Sequence, residues 1–389
     1  MSWENVPLGK CCEIVSGATP RRNVPEYWDG DIAWVTPKDI SGIEGAILFD
    51  TPEYISKAGY KSCSAQILPK NSILFSSRAP IGLVAIAGRE MCTNQGFKSL
   101  IPGPDVNSTY LYYCMKKYAN RIAALGSGAT FKEVSKEKVS SFSIPLPPLK
   151  EQKRIAAILD KADAIRRKRR QAIQLADEFL RSVFLDMFGD LINNSKGWPH
   201  ARFGDICESR LGKMLDSKKQ TGNHKRKYLR NANLQWDYFD LTDLLEMDFD
   251  EKDRETFSLK YGDLLICEGG EVGRAAIWRN ELSECYFQKA LHRVRLNVKK
   301  ATPEFLLHLL WFFSRNGGFR DHATSATIAH LTGVKLKEMT IPLPPLALQH
   351  KFSNNYVKIK SIKEKYSFLH RNGQELFASL TQKAFYGEL

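Results

Sequence analysis

The six residues Ile-Pro-Leu-Pro-Pro-Leu occur twice in this chain of 389 residues, at positions 144–149 and 341–346. Proline interrupts a helix on its N-terminal side but is tolerated where a helix begins. After each copy, apolar residues recur every three or four positions over about forty residues, which is typical of a long amphipathic helix. The repeat therefore predicts a globular unit and a long helix, followed by a second globular unit and a second long helix.

The sequences around the two copies also match, which favours an internal duplication over coincidence. Residues that recur at a constant spacing are Trp3 with Trp198, Gly9 with Gly204, Cys12 with Cys207, Glu13 with Glu208 and Gly17 with Gly212. The helical segments end alike, in Gly-Asp-Leu at 189–191 and Gly-Glu-Leu at 387–389. We predict a first globular domain at 1–145, a central long helix at 146–192, a second globular domain at 193–342 and a C-terminal long helix at 343–389.

Short apolar runs between Gly and Pro residues predict strands in both globular units. The predicted strands are 32–35, 72–75, 83–87, 228–231, 263–267 and 275–278, and the predicted helices within the units are 109–125 and 303–314. This pattern indicates the α+β class, with mixed or antiparallel sheets.

Each long helix carries an apolar stripe about 60 Å long that must be buried. We expect the two helices to pair as an antiparallel coiled coil, which gives the chain an approximate two-fold internal repeat. The alternative is that each helix packs on its own globular unit. Paired helices would let two related units read two half-sites on either side of a spacer of fixed length.

The formal net charge of +14 and the sequence pI near 9.3 favour a polyanionic partner. Nucleic acid is the first candidate and an anionic membrane the second. The eight cysteines form no CxxC pair, so we interpret them as reduced thiols rather than zinc ligands or disulfides. The first residues lack a signal-peptide pattern and no run of eighteen apolar residues occurs, so we expect a cytoplasmic protein with no membrane partner.

Side chains suited to base edges and phosphates occur in loops of both halves, with Arg and Lys suited to guanine and Asn and Gln suited to adenine. Any one of them is also a common exposed loop residue, and their recurrence in both halves is the stronger argument. The candidate DNA-binding residues are Arg21, Arg22, Lys38, Arg78, Asn94, Gln95, Lys98, Thr130, Lys132, Lys213, Lys225, Arg226, Lys227, Arg230, Asn231, Arg274, Gln288, Lys289 and Thr327.

The sequence offers little catalytic chemistry. It has no GxxxxGK[ST] phosphate loop and no Asn-Pro-Pro-aromatic tetrapeptide of the kind that methyltransferases use. Glu268 and Glu271 form the one acidic pair worth testing as a nuclease site. We therefore predict no catalytic residue and no metal site, with the chemistry supplied by partners.

Several motifs of the first half resemble those of the specificity subunits of type I restriction-modification systems. They are Thr-Pro-Arg-Arg at 19–22, Tyr-Trp-Asp-Gly at 27–30, Trp-Val-Thr-Pro-Lys-Asp at 34–39, the loop at 126–132, and the segment at 144–152 that ends in Lys-Glu-Gln. We call this proline-rich segment and its counterpart at 341–349 the two joints, because each connects a globular unit to a long helix. The second half departs from this pattern, because it lacks the Tyr-Trp-Asp-Gly string and its joint reads Ala-Leu-Gln at 347–349.

The resemblance implies a non-catalytic subunit that reads a bipartite sequence in double-stranded DNA, one half-site per recognition domain. It also implies that the long helices hold two methyltransferase subunits and that endonuclease-translocase subunits complete the complex. S-adenosylmethionine, ATP and Mg²⁺ would then bind to the partners, with no cofactor on this chain. Two alternatives stay open: a stand-alone enzyme that modifies or cleaves DNA, and a dimeric DNA-binding regulator.

Overall fold

The computed structural model of the protein describes residues 3–78, 80–128, 132–216, 220–319 and 330–389. The chain divides into two units: unit 1 contains residues 1–173 and 365–389, and unit 2 contains residues 174–364. Each long helix therefore contributes residues to both units. The four-part domain division drawn from the sequence stays a prediction.

Unit 1 contains short strands, short helices and one longer helix before the first long helix. Its strands are β1 (Asn5–Pro7), β2 (Cys12–Ser16), β3 (Trp28–Val35), β4 (Ile47–Leu48), β5 (Tyr54–Ile55), β6 (Ile73–Phe75), β7 (Val84–Ala87), β8 (Cys92–Thr93), β9 (Lys98–Pro102) and β10 (Ser143–Pro145). Its helices are α1 (Leu8–Cys11), α2 (Pro37–Ile40), α3 (Lys57–Lys61), α4 (Ser108–Ala124), α5 (Lys136–Ser141) and the first part of α6 (Leu149–Phe188).

The sheets of unit 1 form layers around the central strand β6. A five-stranded sheet has the order β2-β9-β6-β7-β4, a three-stranded sheet has the order β5-β3-β8, and β1 pairs with β10. Ile73 and Phe75 of β6 face the core that α4 covers, while Leu74 belongs to a second cluster with Ala33 and Val35 of β3. All three residues of β6 are buried because the sheet is covered on both faces.

Unit 2 repeats this plan. Its strands are β11 (His200–Arg202), β12 (Cys207–Leu211), β13 (Lys225–Leu229), β14 (Leu234–Gln235), β15 (Tyr238–Phe239), β16 (Leu245–Asp248), β17 (Leu264–Cys267), β18 (Ala275–Ile277), β19 (Tyr286–Phe287), β20 (Leu291–Leu296) and β21 (Thr340–Pro342). Its helices are α7 (Phe203–Ile206), α8 (Glu251–Phe257), α9 (Pro303–Asn316), α10 (Gly333–Glu338) and the first part of α11 (Leu346–Tyr386). The end of α6 also belongs to this unit.

The two units share one topology. The order β12-β20-β17-β18 in unit 2 repeats β2-β9-β6-β7 of unit 1, and β16-β13-β19 repeats β5-β3-β8. In both three-stranded sheets the last pair is parallel, β3 with β8 and β13 with β19. The α+β fold and the internal repeat predicted from the sequence are confirmed.

In unit 1 the start of α6 runs antiparallel to the end of α11. Arg154 donates to the carbonyl of Leu389 at 2.8 Å, and the Arg166 guanidinium lies 4.5 Å from the centre of the Phe377 ring. Arg169 donates to the carbonyl of Leu369 at 2.7 Å. The residue number on one helix rises as its partner's falls, which is the antiparallel order.

In unit 2 the end of α6 pairs in the same sense with the start of α11. Lys363 donates to Asp177 at 2.7 Å, and the rings of Phe184 and Phe352 lie 5.2 Å apart. The ends of the helices also pack on the globular cores, as Phe184 does against Phe305 of α9. The two helices therefore pair as the predicted antiparallel coiled coil. Their ends also pack on the globular units, as the alternative interpretation expected.

The two proline-rich joints have the same internal bonding. Gln152 is buried; it accepts from the Asn107 amide at 2.8 Å and donates to the carbonyls of Asp105 and Pro147, each at 2.8 Å. In unit 2, buried Gln349 accepts from the Thr302 amide at 3.0 Å and donates to the carbonyls of Lys300 and Pro344. Each glutamine thus ties the first turn of a long helix to the helix start of α4 or α9.

Candidate nucleic-acid interface

In unit 1 two parallel strands end side by side and bring several predicted residues together. β3 ends at Val35 and β8 at Thr93, which are paired in register, and the Asn94 amide donates to the Val35 carbonyl at 2.9 Å. The next residues along each strand therefore share one edge of the sheet. We call the surface formed by Lys38, Arg78, Asn94 and Gln95 the first strand-end surface.

The start of α2 fixes the backbone of this surface. The Asp39 carboxylate accepts from the backbone amide of Thr36 at 2.7 Å and from its hydroxyl at 2.8 Å, which caps the helix N-terminus. Lys38 is exposed between these two residues. Gly96 packs closely against Asn94, Pro37 and Arg78, because a Cβ there would lie 2.9 Å from Asn94 Oδ1, 3.4 Å from Pro37 Cγ and 3.7 Å from Arg78 Cγ.

Glu133 binds two of the candidate cations. Lys98 donates to Glu133 at 3.1 Å and Arg78 lies 3.8 Å from the same carboxylate. Lys98 is buried, with 8% of its surface exposed, whereas Arg78 keeps about a third of its side chain in solvent. Lys98 is therefore a buried partner of Glu133, whereas Arg78 remains accessible to solvent. Lys132 is exposed as well.

Arg21 and Arg22 have different surroundings. The Arg22 guanidinium lies 4.0 Å from the Trp28 ring centre and 4.7 Å from that of Trp34, and it forms an ion pair with Glu53. The bond to Glu53 raises the pKa of Arg22, and the same bond lowers the pKa of Glu53. Arg21 is exposed, and its backbone carbonyl accepts from the Trp28 indole at 3.2 Å and from the Val24 amide at 3.3 Å.

Unit 2 has an equivalent surface at the ends of β13 and β19. Leu229 and Phe287 are paired in parallel, and the Gln288 amide donates to the Leu229 carbonyl at 3.0 Å. We call the surface formed by Arg230, Asn231, Arg274, Gln288 and Lys289 the second strand-end surface. Its geometry repeats that of unit 1, but its side chains differ.

Asn231 is held by bonds on both ends of its amide. Arg274 donates to Asn231 Oδ1 at 2.9 Å and to its backbone carbonyl at 3.0 Å, and Asn231 Nδ2 donates to the Gly269 carbonyl at 3.0 Å. Burial raises the pKa of Cys267 to about 11, so at neutral pH its thiol keeps the proton that it donates to Asn231 Oδ1 at 2.6 Å. Arg230 is engaged as well, with Asp243 at 2.6 Å.

The basic strand β13 begins at a turn that a single carboxylate organises. Asp248 accepts from the amides of Thr221, Gly222 and His224 at 2.5, 2.7 and 3.1 Å. Burial alone would raise the pKa of Asp248, but these hydrogen bonds outweigh it and lower the pKa to about 2. The turn leads into Lys225, which is exposed.

The other cations of this region differ in accessibility. Lys227 and Lys289 are exposed, with Lys289 lying 3.9 Å from the sulfur of Met214. Arg226 lies 3.3 Å from Glu284. Lys213 forms an ion pair with Asp253 and donates to the Asp248 carbonyl at 2.5 Å, so its ammonium group is tied to the protein.

The family comparison decides what kind of protein presents these surfaces. The family model described as type I restriction modification DNA specificity domain matches residues 1–175 and 195–354, one segment for each half of the chain. The chain belongs to this family. The resemblance seen in the sequence is therefore confirmed.

Relatives and solved structures agree with that assignment. The specificity subunit of the type I restriction enzyme MjaIX of Methanocaldococcus jannaschii is 34% identical over 227 residues, which cover 54% of this chain and 52% of that relative. The matched region thus spans about half the length of this curated relative.

Two solved structures share the fold over nearly the whole chain. The S subunit of a type I restriction-modification system from M. genitalium has a TM-score of 0.64 at 15% identity, covering 99% of this chain and 96% of that one. A second structure, from a study of complex assembly and conformational transition of the type I R-M system, has a TM-score of 0.57 at 19% identity, covering 100% and 98%.

Within this family fold the structure brings some predicted residues together and leaves others apart. The two strand-end surfaces gather nine of them, while Arg21, Arg22, Lys213 and the 225–227 group lie on neighbouring loops and strands. Thr130 and Thr327 fall outside the described residues. DNA contact stays a prediction for every one of these side chains.

Sequence reasoning missed the carboxylates that hold the cations. Glu133 beside Lys98, Asp253 beside Lys213 and Glu271 beside Arg274 were not predicted. It also missed why Gly17 and Gly212 recur: a Cβ would lie 2.0 Å from the Asn94 carbonyl oxygen at Gly17, and 2.4 Å from that of Gln288 at Gly212. The matched spacing of Gly17 and Gly212 was the one signal in the sequence that both positions require a residue without a side chain.

In the acidic pair considered as a nuclease site, the Glu271 carboxylate is engaged in structural bonds. Glu271 accepts from the Trp236 indole at 2.8 Å and lies 3.4 Å from Arg315 and 3.6 Å from Arg274. In the described part of the chain, no three His, Cys, Asp or Glu side chains are grouped so as to hold a metal ion. Within the same residues, no helix is long and apolar enough to cross a membrane.

Proposed function

We propose that this chain is the DNA specificity subunit of a type I restriction-modification complex and that it reads a bipartite target, one half-site per unit. The observation that carries the proposal is the repeated strand-end surface, found once in each of the two segments that match the family. Each surface places Asn or Gln beside Arg or Lys at one sheet edge, and these are the side chains that read base edges in the major groove.

The two half-sites should differ in sequence because the surfaces differ in chemistry. The first offers Lys38, Arg78 and Asn94, whereas the second offers Asn231, Arg274 and Gln288 in the same topology. A shared backbone frame with different side chains supports two unlike half-sites rather than a palindrome.

The long helices are the proposed docking surface for two methyltransferase subunits. Large apolar side chains remain exposed along them even though their stripes are paired. In unit 1 these are Ile165, Tyr366, Phe368 and Leu376, and in unit 2 they are Leu175, Phe179, Leu185, Val357 and Ile362. Burial of these side chains against a helical partner lowers the free energy, because apolar surface is removed from water.

The remaining chemistry is assigned to the partners. Methyltransferase subunits would bind S-adenosylmethionine, and endonuclease-translocase subunits would bind ATP and Mg²⁺. A subunit that serves such a complex works where the cell keeps its DNA, so a cytoplasmic location is part of the proposal.

The test is to express the chain with its methyltransferase partner in a strain without endogenous methylation and to map methylated bases across the genome. We expect one motif made of two defined half-sites and an unread spacer of fixed length. A continuous motif, or methylation without sequence preference, would contradict the proposal. Incubating the isolated chain with DNA and either S-adenosylmethionine or Mg²⁺ tests the stand-alone enzyme, because activity without partners would favour that alternative.

A further inference from the structure

A polar contact in unit 2 joins the helix α11 to the loop between β14 and β15. Asp237 lies at the tip of this hairpin with a φ of +68°. Its carboxylate accepts from the buried Tyr356 hydroxyl and from Lys360 Nζ at 2.9 Å, and its carbonyl accepts from the same ammonium at 3.0 Å. Two side chains of α11 therefore fix both the side chain and the backbone of one loop residue.

From this anchor, a path leads to the second strand-end surface, first through the peptide bond between Asp237 and Trp236 and then through polar contacts. Next to Asp237, the Trp236 indole donates to Glu271 at 2.8 Å. The other oxygen of Glu271 lies 3.6 Å from Arg274, which donates to the side chain and backbone of Asn231 at 2.9 and 3.0 Å. Displacement of the hairpin would thus move the residues that are placed to read bases.

Packing alone does not hold the hairpin. A cavity of about 180 Å³ lies against Trp236 and Asp237, between α6, α9 and α11, and is also lined by His308 and Lys363. The hairpin also packs through Phe239 against Trp278, with ring centres 5.2 Å apart, and the Asp237 amide donates to the Ala275 carbonyl at 3.0 Å. On the side that faces the cavity, the Asp237 carboxylate is held by its polar partners. These partners are largely removed from water, since 24% of the Asp237 side chain and 19% of that of Lys360 are exposed.

The fold does not need this polar set to attach α11. Phe352 and Ile359 already bury the same face of the helix in the core of unit 2. A partly buried ion pair stabilises no better than apolar residues of similar volume, so its presence points to a role in orientation. Residues that support reading groups from behind serve this purpose in binding sites.

Unit 1 provides an internal comparison. When the two halves are aligned at Gln152 and Gln349, Leu159 is equivalent to Tyr356 and Asp163 is equivalent to Lys360. Leu159 is apolar and buried, and Asp163 bonds to Arg166 of its own helix at 2.6 Å. The first unit therefore lacks this anchor among its described contacts.

We propose that Tyr356 and Lys360 are positioning residues which, through Asp237, Trp236 and Glu271, hold Asn231 and Arg274 in the orientation that reads the second half-site. The inference rests on the proposed function, because it names residues that determine how well unit 2 discriminates between bases in the second half-site.

The experiment measures the binding of the full chain, with its methyltransferase partner, to duplexes that carry every single base-pair change in both half-sites. Lys360→Met removes the ammonium but keeps the stem, and Tyr356→Phe removes only the hydroxyl. We expect each change to lower discrimination in the second half-site by about ten-fold, in the range of one lost base contact, and in the first half-site by less than about two-fold. Lys358→Met, at an exposed position of the same helix, should leave both unchanged.

A second variant separates orientation from stability. Asp237→Asn combined with Lys360→Met should be no worse than Lys360→Met alone, because both act on one contact. Equal loss at both half-sites, or unchanged discrimination at the second, would overturn the inference while leaving the two-part target intact. A native chain that shows no two-part preference would contradict the proposed function as well.

Discussion

At the scale of single residues, Lys38 is the most accessible basic side chain of the first strand-end surface. The cap formed by Asp39 fixes the backbone on either side of it, so its ammonium group is presented from a rigid frame. Arg78 shares Glu133 with Lys98. A contact between Arg78 and DNA would have to weaken the ion pair with Glu133, which lowers the net gain in binding free energy. Lys38 should therefore dominate the reading of the first half-site.

We expect Lys38→Met to weaken binding to the native target by about 1 to 3 kcal/mol and to relax the preference at one position of the first half-site. Titrating labelled duplexes that vary each position in turn gives both quantities. The exposed Lys70→Met serves as the matched control. An equal loss on every sequence would instead mark Lys38 as a phosphate contact.

Buried His292 makes the stability of unit 2 depend on pH. Burial lowers the pKa of His292 below its ordinary value of 6.5, and the ring nitrogen Nε2 lies 2.9 Å from the Leu331 carbonyl. Below about pH 6.5, His292 is protonated in the unfolded chain but stays neutral in the folded chain. Because the unfolded state binds more protons, the free energy of unfolding falls as the pH falls.

Denaturant unfolding at pH 7 and pH 5 checks this expectation. His292→Gln should make the loss of stability between these values smaller than in the native chain. The exposed His350→Gln should leave the pH dependence as it is. An unchanged slope in His292→Gln would show that other groups cause the effect.

The candidate site could be predicted from the sequence only in part. Asn94, Gln95 and Gln288 were predicted as loop residues whose side chains suit base edges, and the structure puts them at strand ends. The two-residue strands β8 and β19 that precede them were not predicted. The pairing of Lys98 with Glu133, or of Lys213 with Asp253, could not be predicted, because the partners are 35 and 40 residues apart and meet only in the folded chain.

At the scale of elements, the long helices are defined by what happens at their ends. Both stop at a glycine in the left-handed region, Gly189 at a φ of +75° and Gly387 at +74°. Gly189 donates to the Leu185 carbonyl at 2.7 Å, closing the last turn. Near their starts, the buried glutamines Gln152 and Gln349 accept from the backbone amides at the start of the neighbouring helix, Asn107 for α4 and Thr302 for α9.

Gln152→Ala should lower the free energy of unfolding by about 3 kcal/mol, because it leaves the Asn107 amide and two carbonyls buried without partners. Chemical denaturation measures the loss. Gln171→Ala, at an exposed position farther along the same helix, should cost less than about 0.5 kcal/mol. A comparable loss in both variants would contradict the assignment to the joint, because alanine has the highest helix propensity and should not destabilise an exposed helix position.

Elements with their own periodicity were predictable, and those defined by a partner were not. The predicted helix at 109–125 matches α4, and the predicted strands at 72–75 and 83–87 match β6 and β7. The two-residue strands β5, β14 and β15 carry no pattern of their own and exist only through pairing. The joints were visible because proline has a strong local effect, whereas the three bonds of each glutamine require the folded unit.

At the scale of the whole molecule, both long helices run without interruption and contribute to both units. If helix length sets the distance between the half-sites, removing seven residues from the middle of each helix shortens it by about 10 Å. That length corresponds to about three base pairs. Methylation mapping should then show the same half-sites with a spacer about three base pairs shorter.

Removing seven residues from only one helix provides the control. It shifts the apolar stripe of that helix against its partner and should reduce the midpoint of thermal unfolding. An unaltered spacer in the chain with both deletions would refute the dependence on helix length. Altered half-sites would indicate that the deletion had disturbed the units themselves.

The matching glutamine joints also bear on how such genes exchange parts. A single crossover between two related genes at the Pro-Leu-Pro-Pro segment before Gln152 would replace everything on the N-terminal side of that joint and keep the bond from Gln152 to the Pro147 carbonyl. Both long helices lie on the C-terminal side of the crossover, so their pairing would be kept while the first strand-end surface was replaced. A cell could thus acquire a new first half-site in one crossover, with no compensating change in the long helices that are proposed to dock the methyltransferase.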